Sequence, residues 1–107
     1  MAVRVDVVKH EEKVVSVYLG VYRSHDGVKY QVLGIARHPT TNEKLVVYEF
    51  ISGHPDVVHG LERPPLYVYP LKDFVGNTIL ADGTSVPRFV FLGKYSAVFG
   101  PYRPQYF

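Results

Sequence analysis

The side chains with most chemical reach in this sequence are a scattered set of arginines, histidines and tyrosines. Arg37 and His38 are adjacent. A guanidinium fork matches a carboxylate or phosphate, and a neighbouring imidazole can share that anion or move a proton. Arg23 follows Tyr22, and Arg88 precedes Phe89, so two more guanidiniums sit beside rings. Tyr67 adds a further ring in a short apolar segment. If the segment ends converge, Arg23, Arg37, His38 and Arg88, with Tyr22 and Tyr67, form one basic rim. Such a rim holds anions or stacks bases. The structural alternative pairs the arginines with Asp26, Glu43, Asp73 or Asp82. In it Arg37 braces its loop, His38 caps the turn, and rings such as Tyr30 and Tyr48 fill the core with their hydroxyls at its margin.

Other constellations carry less. His54, Asp56 and His59 are of metal-ligating type. Their spacing matches no helix-borne site, and a solvated loop is the expected reading, so neither metal nor cofactor is expected. The chain has no cysteine, which excludes disulfides, thiolate catalysis and zinc–thiolate sites. No serine sits in a nucleophile-elbow motif, no glycine-rich phosphate loop occurs, and no carboxylate pair has acid–base spacing. No catalytic residue is therefore assigned. The expected function is a non-catalytic binding module whose partner is a protein segment or an anionic ligand such as RNA. Two alternatives stand beside it. One is a small enzyme acting on a nucleotide or another phosphorylated metabolite, with Arg37 and His38 as anion clamp and general acid/base. The other is a homo-oligomeric assembly domain joined through extra terminal strands.

The elements that must position these residues read as strands. The 107 residues suit one domain, and 47% are apolar, enough for a thin core. The net charge of +2 is too small to imply nucleic acid by electrostatics alone. Valine and tyrosine are abundant, and both favour a pleated, half-buried surface. Short apolar runs alternate with turn residues. Strands are predicted over residues 3–7, 14–22, 29–37, 45–51 and 66–69. Gly34 marks a bulge, bend or close approach in the third. One helical turn is predicted over 71–75. Segments 78–81 and 88–92 flank Asp82-Gly83 and read as a hairpin. Val32, Ile35, Val46, Tyr48, Phe50, Val68 and Phe89 are the expected core. The loop 52–65 is long for a compact domain and is expected to be mobile and easily cleaved. The fold class expected is all-β, a small barrel or roll, because closure removes sticky sheet edges.

Several of these segments together resemble domain of unknown function family 1653. They are Gly20-Val21-Tyr22-Arg23, then Tyr30 through His38, and Leu45-Val46-Val47-Tyr48. Leu66-Tyr67-Val68-Tyr69-Pro70-Leu71, Phe74, Asp82-Gly83 and Val86-Pro87-Arg88-Phe89 continue the pattern. The resemblance implies an SH3-like roll over residues 20–92, with an N-terminal extension over 1–19 and an irregular tail over 93–107. It implies no activity. Ser24, His25 and Asp26 stand where the family has His, Tyr and Lys, and Tyr69 stands in place of its Arg. Charged residues, including Arg4, Asp6 and Lys9, interrupt every N-terminal apolar run. With no cysteine, a cytoplasmic location away from membranes is expected.

Overall fold

The computed structural model describes residues 2–10, 13–52 and 65–99. Nine strands and two short helices follow in chain order among these residues. The first pair, β1 (Arg4–His10) and β2 (Lys13–Tyr18), forms an antiparallel hairpin. A five-stranded antiparallel sheet contains β3 (Gly20–Ser24), β4 (Lys29–Arg37), β5 (Lys44–Ser52), β6 (Tyr67–Pro70) and β9 (Phe89–Gly93), in the order β6-β5-β4-β3-β9. Helix α1 (Leu71–Phe74) leads from β6 into a small hairpin of β7 (Asn77–Ile79) and β8 (Ser85–Pro87). Helix α2 (Tyr95–Phe99) follows β9 and packs on β3 and β9. The chain is all-β in class, as its valine and tyrosine content predicts.

Local chemistry sets the joints. The stretch 14–22 is two strands rather than one, because the chain turns a corner at Leu19 and Gly20. Gly20 has φ of 140°, and a Cβ there would lie 2.6 Å from the Gly93 carbonyl oxygen. Only glycine suits both constraints. At Gly34 the β4–β5 register shifts, so the expected irregularity is a bulge. The residues opposite Asp82-Gly83 differ from expectation. Segment 77–79 pairs with 85–87, not with 88–92, which instead supplies the edge strand beside β3. A turn closed by Gly83 N–H donating to the Leu80 carbonyl leaves room for a short return strand only. The tail also departs from an irregular segment, since α2 occupies its first part.

The core forms where the inner faces meet. Val17, Val32, Val46, Tyr48, Leu71 and Phe74 are buried together with Tyr22. Val32, Val46 and Tyr48 are buried as expected, while Ile35, Phe50 and Phe89 are partly buried and pack against the same cluster. Val68 is a correction: it is 55% exposed. Register explains why. Tyr67 opposes Tyr48 and Tyr69 opposes Val46, so both tyrosines share the inner face and Val68 points outward. On the sheet's other face Val21 is fully buried.

Edge strands β6 and β9 share no backbone ladder. Their rings meet instead. Tyr69 and Phe89 lie edge-to-face at 5.3 Å, and Phe74 of α1 stacks on Phe89 at 4.5 Å. Phe74 is 3% exposed and bridges the two edges. Phe74→Ala is therefore expected to cost about 3–5 kcal/mol in chemical denaturation, the range for buried aromatic truncation. Val68→Thr is expected to stay within about 0.5 kcal/mol, as a surface change. The opposite ranking would reverse the face assignment.

Candidate functional site

Arg37 and His38 sit at the end of β4 and organise the turn into β5. The Arg37 guanidinium donates to Asn42 Oδ1 at 3.0 Å. Asn42 has φ of 64°, a left-handed turn conformation that asparagine tolerates. His38 Nδ1 accepts the backbone N–H groups of Thr40 and Thr41, each at 3.2 Å. Its own N–H donates to the Glu43 carbonyl at 2.7 Å. These contacts give both residues a bracing role.

Arg23 and Arg88 belong to the other end of the sheet. Arg23 opposes Lys29 at the start of β4, whereas Arg37 closes its far end. Eight residues of strand separate Lys29 from Arg37, roughly 25 Å at the usual rise. The four cations therefore do not form one rim. Arg88 works as a clamp. Its Nη1 donates to the Asp73 carbonyl at 2.7 Å and its Nη2 to the Asn77 carbonyl at 2.9 Å. Its backbone N–H donates to the Gly76 carbonyl at 3.0 Å. One residue thereby fixes the end of α1 to the start of β7.

The two tyrosines face inward. Tyr22 Oη accepts the Tyr18 N–H at 2.9 Å and lies 3.1 Å from the Tyr18 carbonyl, to which it donates. Its ring meets Phe74 edge-to-face at 5.0 Å. Tyr67 stacks on Tyr48 at 5.8 Å and meets Phe50 at 4.8 Å. Both rings pack on neighbouring rings.

Two concavities carry the surface chemistry. An open groove of about 400 Å³ runs between the β3–β4 turn and the β7–β8 hairpin. Arg23, Ser24, His25 and Gly27 of the β3–β4 region, Val90 of β9, and Leu80, Val86 and Pro87 of the hairpin line it. Arg23 and Val90 are register partners, so their side chains share one sheet face. A second cavity of about 270 Å³ lies between the β1–β2 hairpin and α1–β7. His10 and Lys13 line it, together with the rings of Tyr22, Phe74 and Phe89. The sequence reading missed His10, Lys13 and His25. The usable signal was the close spacing of His10 and Lys13, which places them opposite each other across the hairpin. Among the described residues no three His, Cys, Asp or Glu side chains are arranged to hold a metal. His54, Asp56 and His59 lie outside the described residues, as does nearly all of loop 52–65.

The description "protein of unknown function (DUF1653)" matches residues 20–91, two thirds of the chain. The chain belongs to the DUF1653 family. A crystal structure of a DUF1653 protein from Bordetella bronchiseptica is similar, with 32% identity and a TM-score of 0.56. The similarity covers 71% of this chain and 87% of that one. No curated protein matches the sequence. The groove lies wholly within the DUF1653 match, and so does the Arg88 clamp. The second cavity joins the DUF1653 core to a hairpin outside the match.

Electrostatics assigns the nearby carboxylates to turns. The Ser24 hydroxyl donates to Asp26 and holds its carboxyl below the usual range, with His25 adding to the effect. Asp82 is lowered by the Thr84 hydroxyl and N–H. Both stay ionised and engaged at neutral pH. Burial acts the other way on the core phenols. Tyr22 and Tyr30 are raised, and Tyr48 is pushed from 10.0 up to about 12. Folded Tyr48 thus keeps its proton where the unfolded chain has lost it. Its contribution to stability is complete below pH 10 and is lost as pH rises from 10 toward about 12. Chemical denaturation across that window is expected to show falling stability, and Tyr48→Phe is expected to make the fall shallower. An unchanged slope would contradict the burial of this phenol.

Proposed function

We propose that this protein is a non-catalytic binding module. Its Arg23–His25 groove captures an extended protein segment bearing an acidic side chain beside apolar ones. The carrying observation is the groove's mixed chemistry within the DUF1653 core: the Arg23 guanidinium and the His25 imidazole beside apolar lining at Leu80, Val86, Pro87 and Val90. Exposed Val90, at 40%, offers apolar surface directly opposite Arg23. A guanidinium binds a carboxylate through a fork, and the apolar lining takes the flanking side chains. The Asp26 carboxylate is engaged by Ser24 and does not line the groove.

RNA is less well supported than a peptide. Single-strand recognition depends on bases stacked on exposed rings. Here no aromatic ring lines the groove, and Tyr30, Tyr48, Tyr67 and Phe89 pack on one another in the interior. An enzyme is also less well supported, because Arg37 and His38, the assigned anion clamp and acid/base, are occupied in a turn. The module is read as cytoplasmic, and no helix among the described residues is long and apolar enough to cross a membrane.

The test is a peptide array followed by NMR titration of the full chain with the best binders and with single-stranded RNA. Acidic–apolar peptides are expected to shift resonances at residues 23–27, 80 and 86–90. Binding is expected to weaken with salt and to vanish in Arg23→Glu, with the thermal midpoint little changed. Shifts produced by RNA alone, or peptide binding indifferent to Arg23→Glu, would overturn the reading.

A further inference from the structure

We propose that the cavity between the β1–β2 hairpin and the α1–β7 wall binds a compact arylalkyl carboxylate: an apolar ring inside, a carboxylate at the mouth. This does not depend on the groove described above.

The deep end is apolar. Val17 is 1% exposed, Phe74 3% and Tyr22 5%, and all three line the cavity with Phe89. A small aromatic body fits such a surface by edge-to-face and offset contacts. The volume of about 270 Å³ lies near the lower end for small-molecule sites, which favours a compact ligand over a long chain or a nucleotide.

The mouth is cationic. His10 and Lys13 are direct partners across the hairpin, so their side chains project from the same face, and both line the opening. Among the described residues no aspartate or glutamate lines it. Among the described residues Lys13 forms no ion pair. The Lys13 ammonium is suited to a single carboxylate, which accepts a charge-assisted hydrogen bond from it.

The wall opposite the hairpin is held before any ligand arrives. Arg88 ties the Asp73 and Asn77 carbonyls together, and its N–H holds the Gly76 carbonyl. Gly76 is buried, and a Cβ there would come within 3.5 Å of His10 Nε2. The imidazole thus lies within van der Waals reach of this wall. The hairpin is anchored independently. Asp6 Oδ2 lies 3.2 Å from the Lys44 ammonium, and Val5, Val8 and Val17 pack on the core. Two braced walls keep the space open, so little ordering cost opposes binding.

The assignment is tested by calorimetry and NMR on the full chain with phenylpropionate and its uncharged analogue phenylpropanamide. The carboxylate is expected to bind at least about tenfold more tightly, the worth of one charge-assisted hydrogen bond. Its shifts should centre on Val17, Phe74, Val75 and Asn77. Lys13→Gln is expected to remove that preference while leaving the fold and the amide's affinity unchanged. Val15→Phe, which adds a ring to the lining, is expected to block both ligands. Should that variant misfold, Val15→Leu serves as the milder filling change, with weakened binding of both ligands expected. Equal affinity for acid and amide, a preference that survives Lys13→Gln, shifts centred on the Arg23 groove, or no saturable binding would each overturn the proposal.

Discussion

The edges of the five-stranded sheet are joined by rings and not by hydrogen bonds. Tyr69 on β6 meets Phe89 on β9, and Phe74 of α1 sits against both. Inward from that seam, Tyr30 contacts Tyr48, Phe50 and Phe89, and Tyr22 contacts Phe74 and Phe91. Each aromatic pair is worth about 0.5–1.5 kcal/mol beyond its burial, so a network of them is a substantial part of a small domain's stability. A thin core of valines would leave a strand edge open at each side. Large rings reach across the gap and close the roll.

This use of rings shapes what the surface can do. Tyr22 and Tyr67, expected on a basic rim, pack on neighbouring rings, and the groove's chemistry is left to arginine, histidine and aliphatic side chains. Arg88 follows the same logic. It stands one residue before Phe89, so the strand that brings the seam ring also delivers the guanidinium that clamps α1 to β7. That clamp holds a wall of the hairpin cavity, and β8 beside it supplies Val86 and Pro87 to the groove. Both candidate sites thus depend on the seam for their geometry. They differ in ancestry within the chain: the groove is made of DUF1653 residues alone, whereas the cavity needs the N-terminal hairpin.

Much of the strand content was legible in the sequence, because β-branched and aromatic runs broken by turn residues leave few other local structures. The face of β6 was not. Valine is the more apolar residue, and nothing local says that Tyr67 and Tyr69 lie inward until the register with Tyr48 and Val46 is known. The partner of β7 was misread for a similar reason: 85–87 is too short to show a pattern, and 88–92 shows one because it belongs to a different sheet. Of the candidate site, residue types were legible and convergence was not. Arg23 and Arg37 look alike as strand-end cations, yet Arg23 on β3 pairs with the start of β4 while Arg37 closes its far end. His10 and Lys13 lie in a charged stretch of sequence, and their shared face exists only once the hairpin forms.

The claim that ring contacts, not a backbone ladder, join the sheet edges is tested most directly by a double-mutant cycle on Tyr69→Leu and Phe89→Leu, read by chemical denaturation. The account predicts a coupling of about 0.5–1.5 kcal/mol between them. Losses that add to within about 0.3 kcal/mol would show two independent packing sites and contradict it.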